Sequence, residues 1–113
     1  MKHTNKRLMG IVDELTMYLF SVGGTSISIQ IQEWEHKYQL TIKSNYSSDK
    51  KEKLDKLIKV LKYPRQEEME EYCWELAGDS DVGSEMYLVG MMINLVEAKI
   101  LQNEVELYLC KDK

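Results

Sequence analysis

Apolar residues near the start of the chain recur three and four positions apart: Leu8, Ile11, Val12, Leu15, Tyr18 and Leu19 fall on one face of a helix. Thr4 or Asn5 is suited to cap its start. Gly23 and Gly24 are suited to end it, because glycine adopts the left-handed turn that closes helices. The period then changes to two. Ile27, Ile29 and Ile31 alternate with Ser26, Ser28, Gln30 and Gln32, and Tyr38, Leu40 and Ile42 alternate with Gln39, Thr41 and Lys43. These are two half-buried strands, and the short polar stretch 33–37 between them suits a hairpin connection.

Helical spacing returns with Leu54, Leu57, Ile58 and Leu61, after Ser48 or Asp49 as a candidate cap. Glu52 with Lys56 and Asp55 with Lys59 are supporting pairs one turn apart. Pro64 fits the first turn of a third helix that turns Met69, Tyr72, Cys73 and Leu76 inward and stops at Gly78. After the polar stretch 78–83, Ser84 can cap a fourth helix running through Met86, Leu88, Val89, Met92, Ile93 and Leu95. The tail alternates again. Val96, Ala98 and Ile100 suit one strand, Gln102 and Asn103 a turn, and Val105, Leu107 and Leu109 a last strand. The expected fold is α+β, a two-layer sandwich with helices on one face of a mostly antiparallel sheet, in the order α-β-β-α-α-α-β-β.

Composition narrows the picture without naming a chemistry. At 113 residues, 43% hydrophobic and 30% charged with one proline, the chain suits a single globular domain over 1–113. A net charge of −4 supplies no general attraction to nucleic acid. The polar start and the charges of Asp13 and Glu14 within the first apolar stretch leave neither an export signal nor a membrane span. Cys73 and Cys110 lack the spacing of a redox or zinc motif, so reduced thiols in a cytoplasmic protein are expected. Charge is nonetheless unevenly spread: 49–65 carries seven positive and three negative residues, whereas 66–81 carries seven acidic residues and no basic one. Neighbouring helices of opposite sign can neutralise each other or dock a charged partner.

Three stretches carry a resemblance: Glu14-Leu15-Thr16-Met17-Tyr18-Leu19 on the first helix, Leu40-Thr41-Ile42-Lys43-Ser44-Asn45 ending the second strand, and Gly83-Ser84-Glu85-Met86-Tyr87-Leu88-Val89 opening the last helix. With the order of elements, they resemble the GHKL, or Bergerat-fold, ATPase superfamily of histidine-kinase catalytic domains and anti-sigma-factor kinases. The resemblance implies a pocket for ATP and magnesium outlined by Glu14, Tyr18, Asn45, Gly83, Ser84 and Glu85, and a bacterial-type signalling setting. The chain departs from each motif. Where the superfamily places an asparagine that ligates magnesium four positions after the glutamate, this chain has Tyr18, a poor and bulky ligand. Where it places Asp-x-Gly after a strand to recognise adenine, this chain runs 44–49 as Ser-Asn-Tyr-Ser-Ser-Asp. In the glycine-rich phosphate segment Gly83 is present, but Glu85 brings a negative charge where backbone would approach phosphate.

The expected function is therefore a regulatory or protein-interaction domain without the usual nucleotide chemistry, acting on a protein partner. One alternative is an active ATP-binding kinase or ATPase with altered ligands, in which Glu14 would be catalytic. Another is a structural homo-oligomer paired through the edge of the terminal hairpin that carries Val105, Leu107 and Leu109. Other constellations carry less. Glu33, Glu35 and His36 flank Trp34, but adjacent strand positions face opposite sides and no second histidine is near, so no metal site is expected. Met86, Met91 and Met92 are expected to fill an irregular core.

Overall fold

The computed structural model describes residues 2–62 and 89–113, with side chains from Lys6 onward. Helix α1 (Lys2–Ser21) leads through a glycine turn into β1 (Ile27–Glu33) and β2 (Lys37–Asn45). A single 3-10 turn (Ser48–Lys50) precedes α2 (Lys51–Lys62), and the chain closes on β3 (Asn94–Ile100) and β4 (Glu104–Asp112). The expected third helix, its Cys73, and the start of the fourth at Ser84 lie outside the described residues.

Both ends of α1 follow from local chemistry. It starts upstream of Thr4 and Asn5, so neither caps it, because nothing in Lys2-His3-Thr4-Asn5 breaks a helix. Its end is the paired-bond glycine turn: Gly23 N–H donates to Phe20 O at 3.0 Å and Gly24 N–H to Leu19 O at 2.8 Å, with Gly23 at φ 92°. A β-carbon on Gly24 would stand 2.7 Å from Leu19 O, so the turn requires glycine for space as well as for conformation.

The four strands form one antiparallel sheet in the order β1-β2-β4-β3. Register explains the burial. Ile29 stands beside Ile42, Ile42 beside Leu107, and Leu107 beside Ala98, so one side of the sheet is a continuous apolar row. The other side reads Ser28, Lys43, Glu106 and Lys99 across the same strands. Leu8, Ile11, Leu15, Tyr18 and Leu19 of α1 join Leu54, Leu57, Val60 and Leu61 of α2 and the inward residues of β2 and β4 in one core. Each such aliphatic side chain contributes roughly 1.5–3 kcal/mol of burial.

Four expectations need correction. The last helix does not reach Leu95: helical backbone ends at Met92, and Leu95 lies in β3 facing Leu109 across the ladder. The alternation of Val96, Ala98 and Ile100 is broken by a bulge between Leu95 and Glu97, which turns Val96 out to 65% exposure. Met91 and Met92 are exposed rather than core-filling, since Val89 and Ile93 take the buried positions of that stretch. Finally, the strand of Val105, Leu107 and Leu109 is not an edge. It is hydrogen-bonded on both sides, to β2 and to β3, so the edge of the terminal hairpin is β3 rather than this strand.

No helix among the described residues is long and apolar enough to cross a membrane.

Candidate functional site

The resemblance points to α1 and the end of β2, and the structure draws these together. Ser47 N–H donates to Val22 O at 2.9 Å, joining the chain just after β2 to the end of α1. Asn45 Oδ1 accepts from the N–H groups of Thr25 and Ser26 at 2.8 and 2.9 Å, and its Nδ2 donates to Thr25 Oγ1 at 2.8 Å. This carboxamide thus holds the connection between α1 and β1 in place. On the other flank, Tyr46 N–H donates to Asn103 O at 3.2 Å, and its hydroxyl lies 2.8 Å from Leu101 O and 3.1 Å from Gln102 O, sharing one proton between two carbonyls. The end of β2 is stitched to the α1–β1 connection on one side and to the β3–β4 turn on the other.

Tyr18, which the resemblance sets against a magnesium-binding asparagine, is fully buried. Its hydroxyl donates to Lys53 O in the first turn of α2 at 2.6 Å, while Lys53 Nζ lies 5.7 Å from the ring centre. Tyr18 therefore braces α1 against α2. Glu14 lies one turn earlier on α1 and is half-buried. Gly83, Ser84 and Glu85 lie outside the described residues. Of the residues the resemblance singles out, Tyr18 and Asn45 are thus engaged in holding the fold.

Two further features lie away from these residues, the first around the Trp34 group noted in the sequence and the second without a sequence expectation. At the β1–β2 turn, Trp34 is half exposed and its indole N–H donates to Gln39 Oε1 at 3.2 Å. Trp34, Glu35, His36, Lys37 and Gln39 line an open groove of about 460 Å³ there. His36 and Glu35 approach to 3.7 Å but both are almost wholly in water, so that pair carries little energy. On the polar side of the sheet, Tyr108 donates its hydroxyl to Glu106 Oε2 at 3.0 Å, Lys43 lies 4.0 Å from the other oxygen of that carboxylate, and Lys99 lies over the Tyr108 ring. The alternation of β4 already places Glu106 and Tyr108 on one face, which is the signal that could have found them. Cys110, further along this face, is a half-buried free thiol.

The hydrogen bond to Glu106 holds the Tyr108 phenol above its ordinary pKa, with desolvation and the charges of Glu106 and Glu97 acting in the same direction. A raised value favours the protonated phenol in the folded state. Its contribution to stability is therefore complete below the ordinary tyrosine range and is lost as pH rises through the raised value. In Glu106→Gln the Tyr108 midpoint is expected to fall toward about 10, followed by NMR titration of labelled tyrosine, with Tyr108→Phe assigning the signal. An unchanged midpoint would show that the carboxylate is not its cause.

Comparison with known family profiles, curated proteins and solved structures finds no match to this chain.

Proposed function

We propose that this chain is a regulatory or protein-interaction domain with a GHKL-like two-layer fold that has given up the nucleotide chemistry of that superfamily, in a bacterial-type signalling setting. Several observations support the reading. Burial on one side only of β2 and β4 suits helices on a single sheet face. The order helix, hairpin, helix, hairpin is that of the resemblance. Met9, Met17 and Phe20 on α1 are each about half exposed or more, the kind of apolar surface a protein partner covers.

The observation that carries the proposal is Tyr18. A side chain fully buried in the core, with its hydroxyl committed to the α2 backbone, is closed off from a magnesium ion in solution and is a poor ligand for one. The test is thermal unfolding of the full chain with millimolar ATP or ADP, each with and without magnesium. A nucleotide present at a hundred times its dissociation constant would add about 2.7 kcal/mol of stability, a rise on the order of 10 °C for a domain of this size. No shift is expected. A saturable rise with ATP and magnesium that disappears in Glu14→Gln would overturn the proposal in favour of an altered but working nucleotide site.

A further inference from the structure

β1 is the one edge of the sheet that nothing among the described residues protects. Trp34 N–H donates to Lys37 O at 2.8 Å, marking a hydrogen-bonded pair beside the hairpin turn. In an antiparallel ladder such pairs recur every second residue, so Gln32, Gln30 and Ser28 spend their main-chain groups on Gln39, Thr41 and Lys43. Ile27, Ile29, Ile31 and Glu33 therefore direct their N–H and C=O groups away from β2. No described strand pairs with that side.

The opposite edge is different. β3 carries a bulge between Leu95 and Glu97 and two exposed charges, Glu97 and Lys99, devices that discourage pairing with another chain. β1 reads Ile-Ser-Ile-Gln-Ile-Gln-Glu over seven regular residues, with no proline, glycine or bulge and a single charge at its end. The outward main-chain groups of Ile27, Ile29 and Ile31, on a regular, strongly β-forming strand charged only at its end, are a template for a further strand.

We infer that β1 pairs antiparallel with β1 of a second copy of this chain, extending the sheet across a two-fold axis. The sequence of the strand selects this occupant. With the axis at Ile29, that residue meets its own counterpart, Ile27 meets Ile31 of the second copy, and all of them are positions whose main-chain groups face outward. On the polar side Gln30 meets Ser28. Glu33 and its counterpart fall at opposite ends of the paired strands, so the only charge of the strand never faces itself. Ile27 and Ile29 are only half-buried and Ile31 is 39% exposed, so the second copy also covers the unfinished end of the apolar row. This pairing is independent of whether any nucleotide binds.

Sedimentation equilibrium of the full chain across a wide concentration range tests it, with circular dichroism and thermal unfolding as the check on folding. The wild-type mass is expected to rise with concentration toward that of a dimer. Ile31→Pro deletes an outward N–H while leaving the ladder to β2 intact, a substitution that edge strands tolerate, and it is expected to remain monomeric. Gln30→Lys sets two ammonium groups diagonally across the axis on the solvated side and is expected to weaken association by about tenfold. Loss of the dimer in either folded variant supports the inference. Should the proline variant fail to fold, Gln30→Lys alone decides. A wild type that stays monomeric, or an assembly that neither folded variant weakens, overturns it.

Discussion

Replacing Tyr18 with asparagine is expected to destabilise the protein by about 3–5 kcal/mol, as removal of a large buried aromatic ring does. The substitution installs the residue that a GHKL resemblance would place there, yet a nucleotide site is not the expected result. It empties a position in the middle of the core and places an amide there whose polar groups would have to be satisfied among Leu15, Leu19 and Leu54. Tyr18→Phe separates the two contributions. It keeps the ring and removes the hydroxyl with its bond to Lys53 O, at an expected cost of about 0.5–1.5 kcal/mol. Urea unfolding followed by circular dichroism measures both. Against a total stability of about 5–15 kcal/mol for a domain of this size, the asparagine variant should be substantially unfolded or melt far below the wild type. A Tyr18→Asn protein as stable as the wild type would mean that the ring is not a core brace, and the argument against a metal site would go with it.

The second large effect is expected at Glu106. Proline there should cost about 1–3 kcal/mol from the lost ladder bond with ring strain in the strand added to it, because β4 is bonded on both sides and Glu106 pairs with Lys43 of β2 and with Lys99 of β3. Proline removes a ladder donor from an interior strand and also deletes the carboxylate that Tyr108 and Lys43 approach. The comparison with Ile31→Pro is instructive. The same residue type on a strand of the same sheet is expected to leave the fold standing at the edge and to break it in the interior. Paired thermal unfolding of the two variants measures the difference, and equal losses would contradict the strand order.

Much of the secondary structure was legible because its causes are local. A period near four at Leu8, Ile11, Leu15 and Leu19, a period of two at Ile27–Ile31 and at Val105–Leu109, and paired glycines after the first helix each act within a few residues. The misreadings arose where distant partners decide. Leu95 continues a helical pattern in sequence, but in the structure it faces Leu109 of β4, and that long-range pairing draws it into a strand. Met92 fits the same helical pattern, yet the helix ends there and its side chain is exposed.

The candidate site divides in the same way. Its departures from the GHKL motifs could be read directly, since residue type alone makes Tyr18 a poor magnesium ligand. What Tyr18 and Asn45 do instead could not be read. Their partners, Lys53 in one case and Thr25 with Ser26 in the other, are separated from them in sequence and meet them only when α1, β2 and α2 pack.

The sequence by itself determined the order of α1, α2 and the four strands, the inward faces of α1, α2, β2 and β4, and the departures from the nucleotide motifs, because periodicity, turn chemistry and ligand type are properties of neighbouring residues. Only the tertiary structure decided that the last strand lies between β2 and β3, leaving β1 and β3 at the edges. Alternating patterns on β1 and β4 say equally well that each has one buried face. They carry no information about which strand lies beside which, since strand order is selected by the joint packing of all four strands with the helices.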